Sequence, residues 1–325
     1  MSIKLATQEN ESGDSSLAAQ GFGSVVENAV KIFTVASDPT EIYQFFEEYG
    51  YVVLTESLGS DDVTFLNNFF DSTQKSKPAV WGLSGKRKPH HRNQGLIYSQ
   101  PLLDHPELDR FTRHPNSFSV VSSLLGGKEQ VRFSEFNLRE TPANGGVGTM
   151  NFHHDKVIED RFLRTPYMPC DYLCAIHYLS DVGDSNPAFC VVPGSHKYET
   201  LKEAHEEMGD QYRELPIRGP AGTCILYDTA IFHTRLDGDG VQSRRTSHQY
   251  YARGGWLQSA LPTTNKYRRS PSPVLTDWNL FPERLAMHAD PETRLFFSHW
   301  NTAQGEWAAS GFDTKVRQAM PRGEQ

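Results

Sequence analysis

A succession of short β-type segments between residues 130 and 255 constrains the fold of this chain more than any other feature. Each segment is rich in aromatic and β-branched residues, and turn-forming residues separate it from the next. The predicted strands cover residues 131–138, 150–155, 172–179, 189–192, 223–227 and 248–251. Such spacing is typical of an all-β sandwich or barrel. We therefore expect an all-β core with flanking helices.

Helical patterns precede this region. Ser37-Asp38-Pro39-Thr40 supplies a helix N-cap followed by a proline in the first turn. Residues 41–49 then carry apolar side chains at helical spacing, and Gly50 suits the position just after a helix end. Further predicted elements are a strand over residues 51–54, helices that begin at Ser60 and cover 117–125 and 291–300, and a loop over 75–103.

The length of 325 residues fits one large domain. Residues 1–36 are predicted to be a disordered or loosely packed N-terminal segment, because polar and small residues dominate their first part. Residues 37–325 are predicted to form a single domain. Its parts are a helical lead-in over 37–129, the β-rich core over 130–255 and a C-terminal extension over 256–325.

Charge and cysteine usage argue against several classes of function. The net charge is −8, from 40 acidic and 32 basic residues, whereas a nucleic-acid-binding protein needs a basic surface. No apolar run approaches the roughly 20 residues that cross a bilayer. The four cysteines form no CxxC pair for structural zinc. We expect a cytoplasmic protein that acts on a small molecule rather than on nucleic acid or a membrane; the sequence does not indicate its oligomeric state.

The strongest chemical signal is the segment Asn151-Phe152-His153-His154-Asp155. On a strand, residues two apart project to the same face, so His153 and Asp155 can bind one metal ion from one side while His154 points away. A third ligand has to come from a distant strand. His233 is the candidate, since it closely follows the apolar run that ends at Asp228.

Two histidines and one carboxylate on one face of an ion form the facial triad of non-haem iron(II) oxygenases. The opposite face then offers three positions, which suffice for a bidentate 2-oxo acid and dioxygen; a hydrolytic zinc site needs only one. A buried arginine is also required to pair with the distal carboxylate of such a co-substrate. Arg244 is the candidate, and strand alternation places Tyr250 on the same face.

At these residues the chain resembles the phytanoyl-CoA dioxygenase family of iron(II)- and 2-oxoglutarate-dependent oxygenases. His153-x-Asp155, His233 and Arg244 eleven residues later fall on the ligand and co-substrate positions of that family. The resemblance spans roughly residues 40 to 255. Its other motifs are Phe-Glu-Glu-Tyr-Gly-Tyr-Val-Val-Leu at 46–54, His105-Pro106 through His114-Pro115 to Leu124-Leu125-Gly126, Tyr178-Leu179-Ser180-Asp181, and Val-Val-Pro-Gly-Ser-His-Lys at 191–197.

The resemblance implies a double-stranded β-helix (a cupin-like jelly-roll) in an oxygenase domain that uses iron(II), 2-oxoglutarate as co-substrate and dioxygen. It also implies that Asn137 contacts 2-oxoglutarate. The chain departs from the family pattern at Arg235, where relatives often have a small hydroxyl residue, at Asn186-Pro187-Ala188 before the Pro-Gly-Ser-His turn, and at His154 between the ligands. The carboxylate of Asp155 argues against the halogenating variants of such enzymes.

The predicted reaction is the oxidation, with hydroxylation as the default, of a small or medium-sized specialised metabolite. Two alternatives remain open. A cupin-type hydrolase or isomerase could use zinc or manganese at the same residues without Arg244, and a catalytically silent binding protein could keep the fold. The predicted substrate-pocket residues are Tyr98, His154, Tyr251, Arg253 and Trp256. A basic cluster at residues 86–92 could bind an anionic group of the substrate, although a solvated loop is the simpler interpretation.

Overall fold

The computed structural model describes residues 30–84, 95–99, 101–143, 150–155, 170, 172–253 and 282–297. Residues 32–325 form one unit, and the described part of this unit contains ten strands in two sheets. The strands are β1 Ile32–Phe33, β2 Tyr51–Leu54, β3 Leu96–Ser99, β4 Val131–Thr141, β5 Tyr172–Tyr178, β6 Ala188–Val191, β7 Leu215–Ile217, β8 Cys224–Asp228, β9 His233–Leu236 and β10 Arg244–Arg253.

Six α-helices lie within the same described ranges. They are α1 Pro39–Tyr49, α2 Ser60–Ser76, α3 Pro115–Leu124, α4 Leu201–Met208, α5 Glu283–Ala286 and α6 Pro291–Phe296. Helix α1 illustrates how local sequence sets their bounds. Asp38 Oδ1 accepts a hydrogen bond of 2.9 Å from Thr40 N, and Gly50 ends the helix in the left-handed conformation with φ 77°. No helix in the described ranges is long and apolar enough to cross a membrane.

The larger sheet has the strand order β1-β2-β8-β5-β10-β4-β3, and the smaller sheet has the order β7-β6-β9. Strand β10 is central, since it pairs antiparallel with both β4 and β5. The two sheets face each other. Across the gap, the ring of Phe189 packs on Tyr227 at 4.8 Å between centroids, and the Tyr178 hydroxyl donates to Ile217 O at 2.7 Å.

We call the side of the larger sheet that faces the smaller sheet its inner face. Tyr178 lies on this face and its Cα pairs with Thr246 of β10, so Arg244, Thr246, His248 and Tyr250 share the inner face by strand alternation. The pairing with β4 shifts register between Tyr250 and Tyr251, which marks a β-bulge.

The outer face of the larger sheet packs against the helices. The Phe133 ring lies 5.6 Å from both the Tyr251 and Phe296 rings, and the Phe118 ring lies 5.5 Å from Phe296. Each of the fully buried rings in such a cluster contributes about 1.5–3 kcal/mol by leaving water. This cluster joins β4, β10, α3 and α6 and forms the apolar support beneath the inner face.

The predicted all-β core with flanking helices is confirmed, and several boundaries differ. Residues 150–155 form only an isolated bridge at His153 rather than a strand. The predicted loop over 75–103 contains β3, and Ile32–Phe33 pairs with β2 ahead of the predicted start near Ser37. Strands β7 and β9 and helix α4 were not predicted, because they have only three, four and eight residues and thus a weak periodic signal.

Candidate metal centre

The segment that contains His153 and Asp155 lies alongside β9. His153 N donates to His233 O at 3.0 Å, and His233 N donates to His153 O at 2.8 Å. Asp155 N donates to Thr229 O at 2.8 Å, which fixes the segment beyond the bridge. The antiparallel bridge places the two histidines directly opposite each other, with ring centroids 4.5 Å apart.

Both imidazole rings are held by the same local hydrogen bond. His153 Nδ1 lies 2.8 Å from Asn151 O, and His233 Nδ1 lies 3.0 Å from Ile231 O. A carbonyl oxygen can only accept, so each Nδ1 carries the proton and each Nε2 keeps its lone pair for a metal. Burial lowers the pKa of His233 to about 4, which keeps this ring neutral, the form that binds metal.

Asp155 completes the set of donors. Its Oδ1 lies 3.8 Å from His153 Nε2, and its Oδ2 lies 3.8 Å from His233 Nε2. All three donor atoms lie within 4.8 Å of one another, so a single ion placed among them is within reach of each. This group consists of two imidazoles and one carboxylate, without a cysteine. The donor set fits iron(II) in a facial triad better than a closed structural zinc site.

Two tyrosines of the inner face contact the carboxylate ligand. The Tyr227 and Tyr250 hydroxyls lie 3.5 and 3.4 Å from Asp155 Oδ2. Burial raises the pKa of both phenols well above the usual range, so both remain protonated and donate. The two hydroxyl groups hold the Asp155 carboxylate in one orientation. Neither tyrosine was predicted to have this role, although strand alternation from Arg244 had already placed Tyr250 on the relevant face.

Arg244 provides a buried cation on the same inner face. Arg244 is only 7% exposed, and no described residue accepts a hydrogen bond from its Nε or Nη1. Burial lowers the pKa of Arg244 to about 10, so the guanidinium stays charged at neutral pH. A buried cation of this kind calls for an anion. The distal carboxylate of 2-oxoglutarate fits, because it can accept a bidentate pair.

Asn137 lies on the inner face of β4, as its pairing with His248 of β10 shows. It is fully buried, and its Nδ2 donates to Glu135 Oε1. Its Oδ1 has no hydrogen-bond partner among the described residues. The atom of Asn137 that has no partner among the described residues is therefore an acceptor, and its predicted contact with 2-oxoglutarate stays a prediction.

The predicted substrate-pocket residues are not brought together. Tyr98 packs against Phe69 and Trp81 on the outer side, and Tyr251 donates to Thr112 O at 3.0 Å within the outer aromatic cluster. Strand alternation explains both positions. Tyr98 pairs with Leu138, which follows the inward-facing Asn137, and Tyr251 follows the inward-facing Tyr250, so both tyrosines face outward.

The remaining predicted substrate-pocket residues lie in different parts of the chain. The ring of the half-buried His154 packs on Phe232 at 5.1 Å. Arg253 ends β10 opposite Val131 and is half-buried. Trp256 and the basic cluster at 86–92 lie outside the described residues.

Arg235, the departure from the family pattern, is buried on the side of β9 that also carries His233. Its Nη2 lies 3.5 Å from Asp237 Oδ1. Burial lowers the pKa of Arg235, and the ion pair with Asp237 opposes that effect. A charged side chain thus replaces a small hydroxyl close to the co-substrate region, which adds positive charge near Arg244.

Comparison with known proteins identifies the family and the fold of the chain. The sequence model of the phytanoyl-CoA dioxygenase family matches residues 46–246. A similar solved structure is the non-heme alpha ketoglutarate dependent carbocyclase SnoK from nogalamycin biosynthesis, with 17% identity, a TM-score of 0.55, and coverage of 69% of this chain and 88% of that chain. No curated protein sequence gives a significant match.

Two further structures carry bound ligands. One is the epimerase SnoN in complex with Fe3+, alpha ketoglutarate and nogalamycin RO, with 14% identity, a TM-score of 0.53, and coverage of 66% of this chain and 84% of that chain. The other is HygX from Streptomyces hygroscopicus with nickel, 2-oxoglutarate and hygromycin B bound, with 18% identity, a TM-score of 0.50, and coverage of 66% and 86%. At such identities the likeness shows a shared fold, and the predicted jelly-roll is confirmed.

Proposed function

The chain belongs to the phytanoyl-CoA dioxygenase family of iron(II)- and 2-oxoglutarate-dependent oxygenases, and we propose that it hydroxylates an unactivated C–H bond of a small or medium-sized specialised metabolite. The observation that carries this proposal is the combination of three metal donors within 4.8 Å of one another and a buried guanidinium without a carboxylate partner among the described residues. A metal-dependent hydrolase would use the three donors and would have no need of Arg244.

His153, Asp155 and His233 would hold the iron and leave half of its coordination positions open. Arg244 would bind the distal carboxylate of 2-oxoglutarate. When bound, the metal and the co-substrate supply the oxidising chemistry, in which dioxygen converts 2-oxoglutarate to succinate and carbon dioxide. Tyr227 and Tyr250 hold the carboxylate ligand in one orientation.

Aromatic side chains restrict the access of water to this centre. The rings of Phe189 and Tyr227 lie 5.2 and 4.9 Å from the His233 ring. Since His233 is also only 5% exposed, the metal would be solvated mainly from the His153 side. A dry wall around the metal prevents side reactions and strengthens local electrostatic interactions.

The substrate class rests on the similar structures. SnoK and SnoN come from nogalamycin biosynthesis, and HygX was solved with hygromycin B bound. These links to nogalamycin and hygromycin B support a specialised metabolite as the substrate here. They also include a carbocyclase and an epimerase. Product analysis would therefore distinguish hydroxylation from desaturation and ring closure.

The cytoplasmic location and the single domain over 37–325 belong to the same proposal. Cys170, Cys174, Cys190 and Cys224 are all buried and free, which supports a reducing compartment. Within the described residues, the helical lead-in packs on the outer face of the sheet that carries the site, as a single domain requires.

The test is turnover of 2-oxoglutarate. Purified protein loaded with iron(II) should release succinate in the presence of oxygen, at a low rate without substrate and faster with a true substrate. His153→Ala and Asp155→Ala should abolish release, because each removes a ligand. Protein that releases no succinate with iron but hydrolyses an ester or amide with zinc would support the hydrolase instead. Protein that binds 2-oxoglutarate with no turnover of any tested metabolite would support a binding protein.

A further inference from the structure

A second buried histidine, His248, lies on the inner face of β10 between Arg244 and Tyr250. Residues two apart on a strand are separated by about 6.8 Å along it. His248 is 5% exposed. Tyr250 contacts the metal ligand Asp155, so a ligand that extends from Arg244 to the metal passes His248 on the way.

The protonation of His248 follows from its neighbours. Burial, assisted by Arg139 and Arg244, holds the pKa of His248 well below its usual range, so the imidazole is neutral. Its Nε2 lies 2.9 Å from Thr246 Oγ1. Either atom can be the donor in this bond. When the Thr246 hydroxyl donates to Nε2, the ring proton is on Nδ1.

His248 Nδ1 has no hydrogen-bond partner among the described residues, so in this tautomer its N–H is a buried donor without an acceptor. A buried donor without an acceptor is destabilising, and such groups persist where a ligand satisfies them. Directly opposite on β4, the amide nitrogen of Asn137 already donates to Glu135, and its Oδ1, which has no partner among the described residues, can only accept. The contrary amide orientation would point the oxygen of Asn137 at a carboxylate.

We propose that His248 is a 2-oxoglutarate-binding residue, and that its Nδ1–H donates a hydrogen bond to an oxygen of the metal-bound oxo acid end of the co-substrate. This inference rests on the proposed function. It gives His248 the role that the family resemblance assigns to Asn137. The oxo acid end is the partner because its carboxylate and keto oxygens accept hydrogen bonds, whereas the two methylene groups nearer Arg244 cannot.

The test compares variants of His248 in calorimetric titrations of 2-oxoglutarate into protein loaded with nickel(II), which prevents turnover. His248→Leu should weaken 2-oxoglutarate binding about 10- to 100-fold, the effect of removing a hydrogen bond to a charged group. His248→Asn places an amide nitrogen near the position of Nδ1 and should recover most of the affinity. His248→Gln places its amide near Nε2 and should not. Ser247→Ala, the neighbouring position on the outer face, is the matched control.

Spectroscopy and stability provide independent measurements. In anaerobic protein with iron(II) and 2-oxoglutarate, His248→Leu should shift the visible charge-transfer band to shorter wavelength, and His248→Asn should restore it. The melting temperature of metal-free His248→Leu reflects both the removal of the unpaired Nδ1 and the loss of the Thr246 hydrogen bond, so it is interpreted together with the 2-oxoglutarate affinity.

The outcomes separate this inference from the proposed function. If Arg244→Gln and His248→Leu both leave 2-oxoglutarate binding unchanged, the proposed function is wrong as well. If only Arg244→Gln weakens binding, the function stands and His248 has no such contact. A lower melting temperature of His248→Leu with unchanged 2-oxoglutarate affinity would show a structural role and would also overturn the inference.

Discussion

Substituting each of two adjacent arginines of β10 in turn should show that one is needed for co-substrate binding and the other for stability. Arg244 points to the inner face and has no ion pair among the described residues, whereas Arg245 points outward. Arg245 Nη2 lies 2.6 Å from Asp71 Oδ1, and its Nε lies 2.9 Å from Glu140 Oε2. The two side chains therefore have the same chemistry and different partners.

The expected magnitudes follow from these contacts. Removing one partner of a buried, hydrogen-bonded charge pair costs about 2–5 kcal/mol, so Arg244→Gln should weaken 2-oxoglutarate binding by about 30-fold to several thousand-fold. The same change should leave the stability of the metal-free protein unaltered or raised, because it removes a buried cation without a counter-charge. Arg245→Gln should lower the free energy of unfolding by about 1–2 kcal/mol and leave 2-oxoglutarate affinity unchanged.

The assays are calorimetric titration of 2-oxoglutarate into nickel(II)-loaded protein and chemical unfolding of the metal-free protein. Each variant acts as the control for the other. The assignment of Arg244 is refuted if Arg244→Gln binds 2-oxoglutarate as tightly as the unsubstituted protein. The inward orientation of Arg244 on β10 is refuted if Arg245→Gln, rather than Arg244→Gln, weakens 2-oxoglutarate binding.

Three further outcomes are expected. Tyr250→Phe should weaken iron(II) binding about 10-fold while Tyr227 still holds Asp155, as a competitive chelator titration can show; unchanged affinity would mean that the hydroxyl has no such role. The metal-free protein should become less stable as pH falls from 6.5 towards 4, because burial lowers the pKa of His177 from its usual 6.5 to about 4, so that the unfolded state binds more protons in this window. His177 alone should contribute about 3 kcal/mol, and His177→Asn should flatten that part of the pH profile of denaturant unfolding; an equally steep profile would contradict the assignment. Phe296→Ala should lower the free energy of unfolding by about 3–5 kcal/mol through loss of its contacts with Phe133 and Phe118, and a loss below 1 kcal/mol would show that α6 does not support the sheet.

The grouping of His153 with Asp155 could be predicted from the sequence because the geometry of this pair is local. His153 and Asp155 are two residues apart, so a single extended segment places both on one side, and the isolated bridge to His233 is enough to preserve this alternation. Helix α1 was predictable for a similar reason, since Asp38 and Gly50 at its ends act within a few residues.

The substrate pocket could not be predicted in the same way, because it depends on which strands pair and on which side they face. Tyr98 and Tyr251 are large, partly polar residues close in sequence to inward-facing ones, and composition alone does not distinguish the two faces. The alternation that places Tyr250 inward already places Tyr251 outward, a signal that was present in the sequence. The role of Tyr227 required the pairing of β5 with β8, which brings Tyr227 beside Cys174 of the inner face.

The amide orientation of Asn137 was also beyond sequence analysis. Its Nδ2 is bound to Glu135, two residues earlier on the same face of β4. Only the contact between those side chains shows that the unpartnered atom of Asn137 among the described residues is an acceptor, which is one reason for proposing His248 on the neighbouring strand as the donor.

An anaerobic crystal structure with iron(II) and 2-oxoglutarate is the most direct measurement of the central claim. We expect one iron ion bound by Nε2 of His153, a carboxylate oxygen of Asp155 and Nε2 of His233, with the co-substrate chelating the ion and its distal carboxylate paired with Arg244. Iron bound by other residues, or 2-oxoglutarate bound away from Arg244, would contradict it.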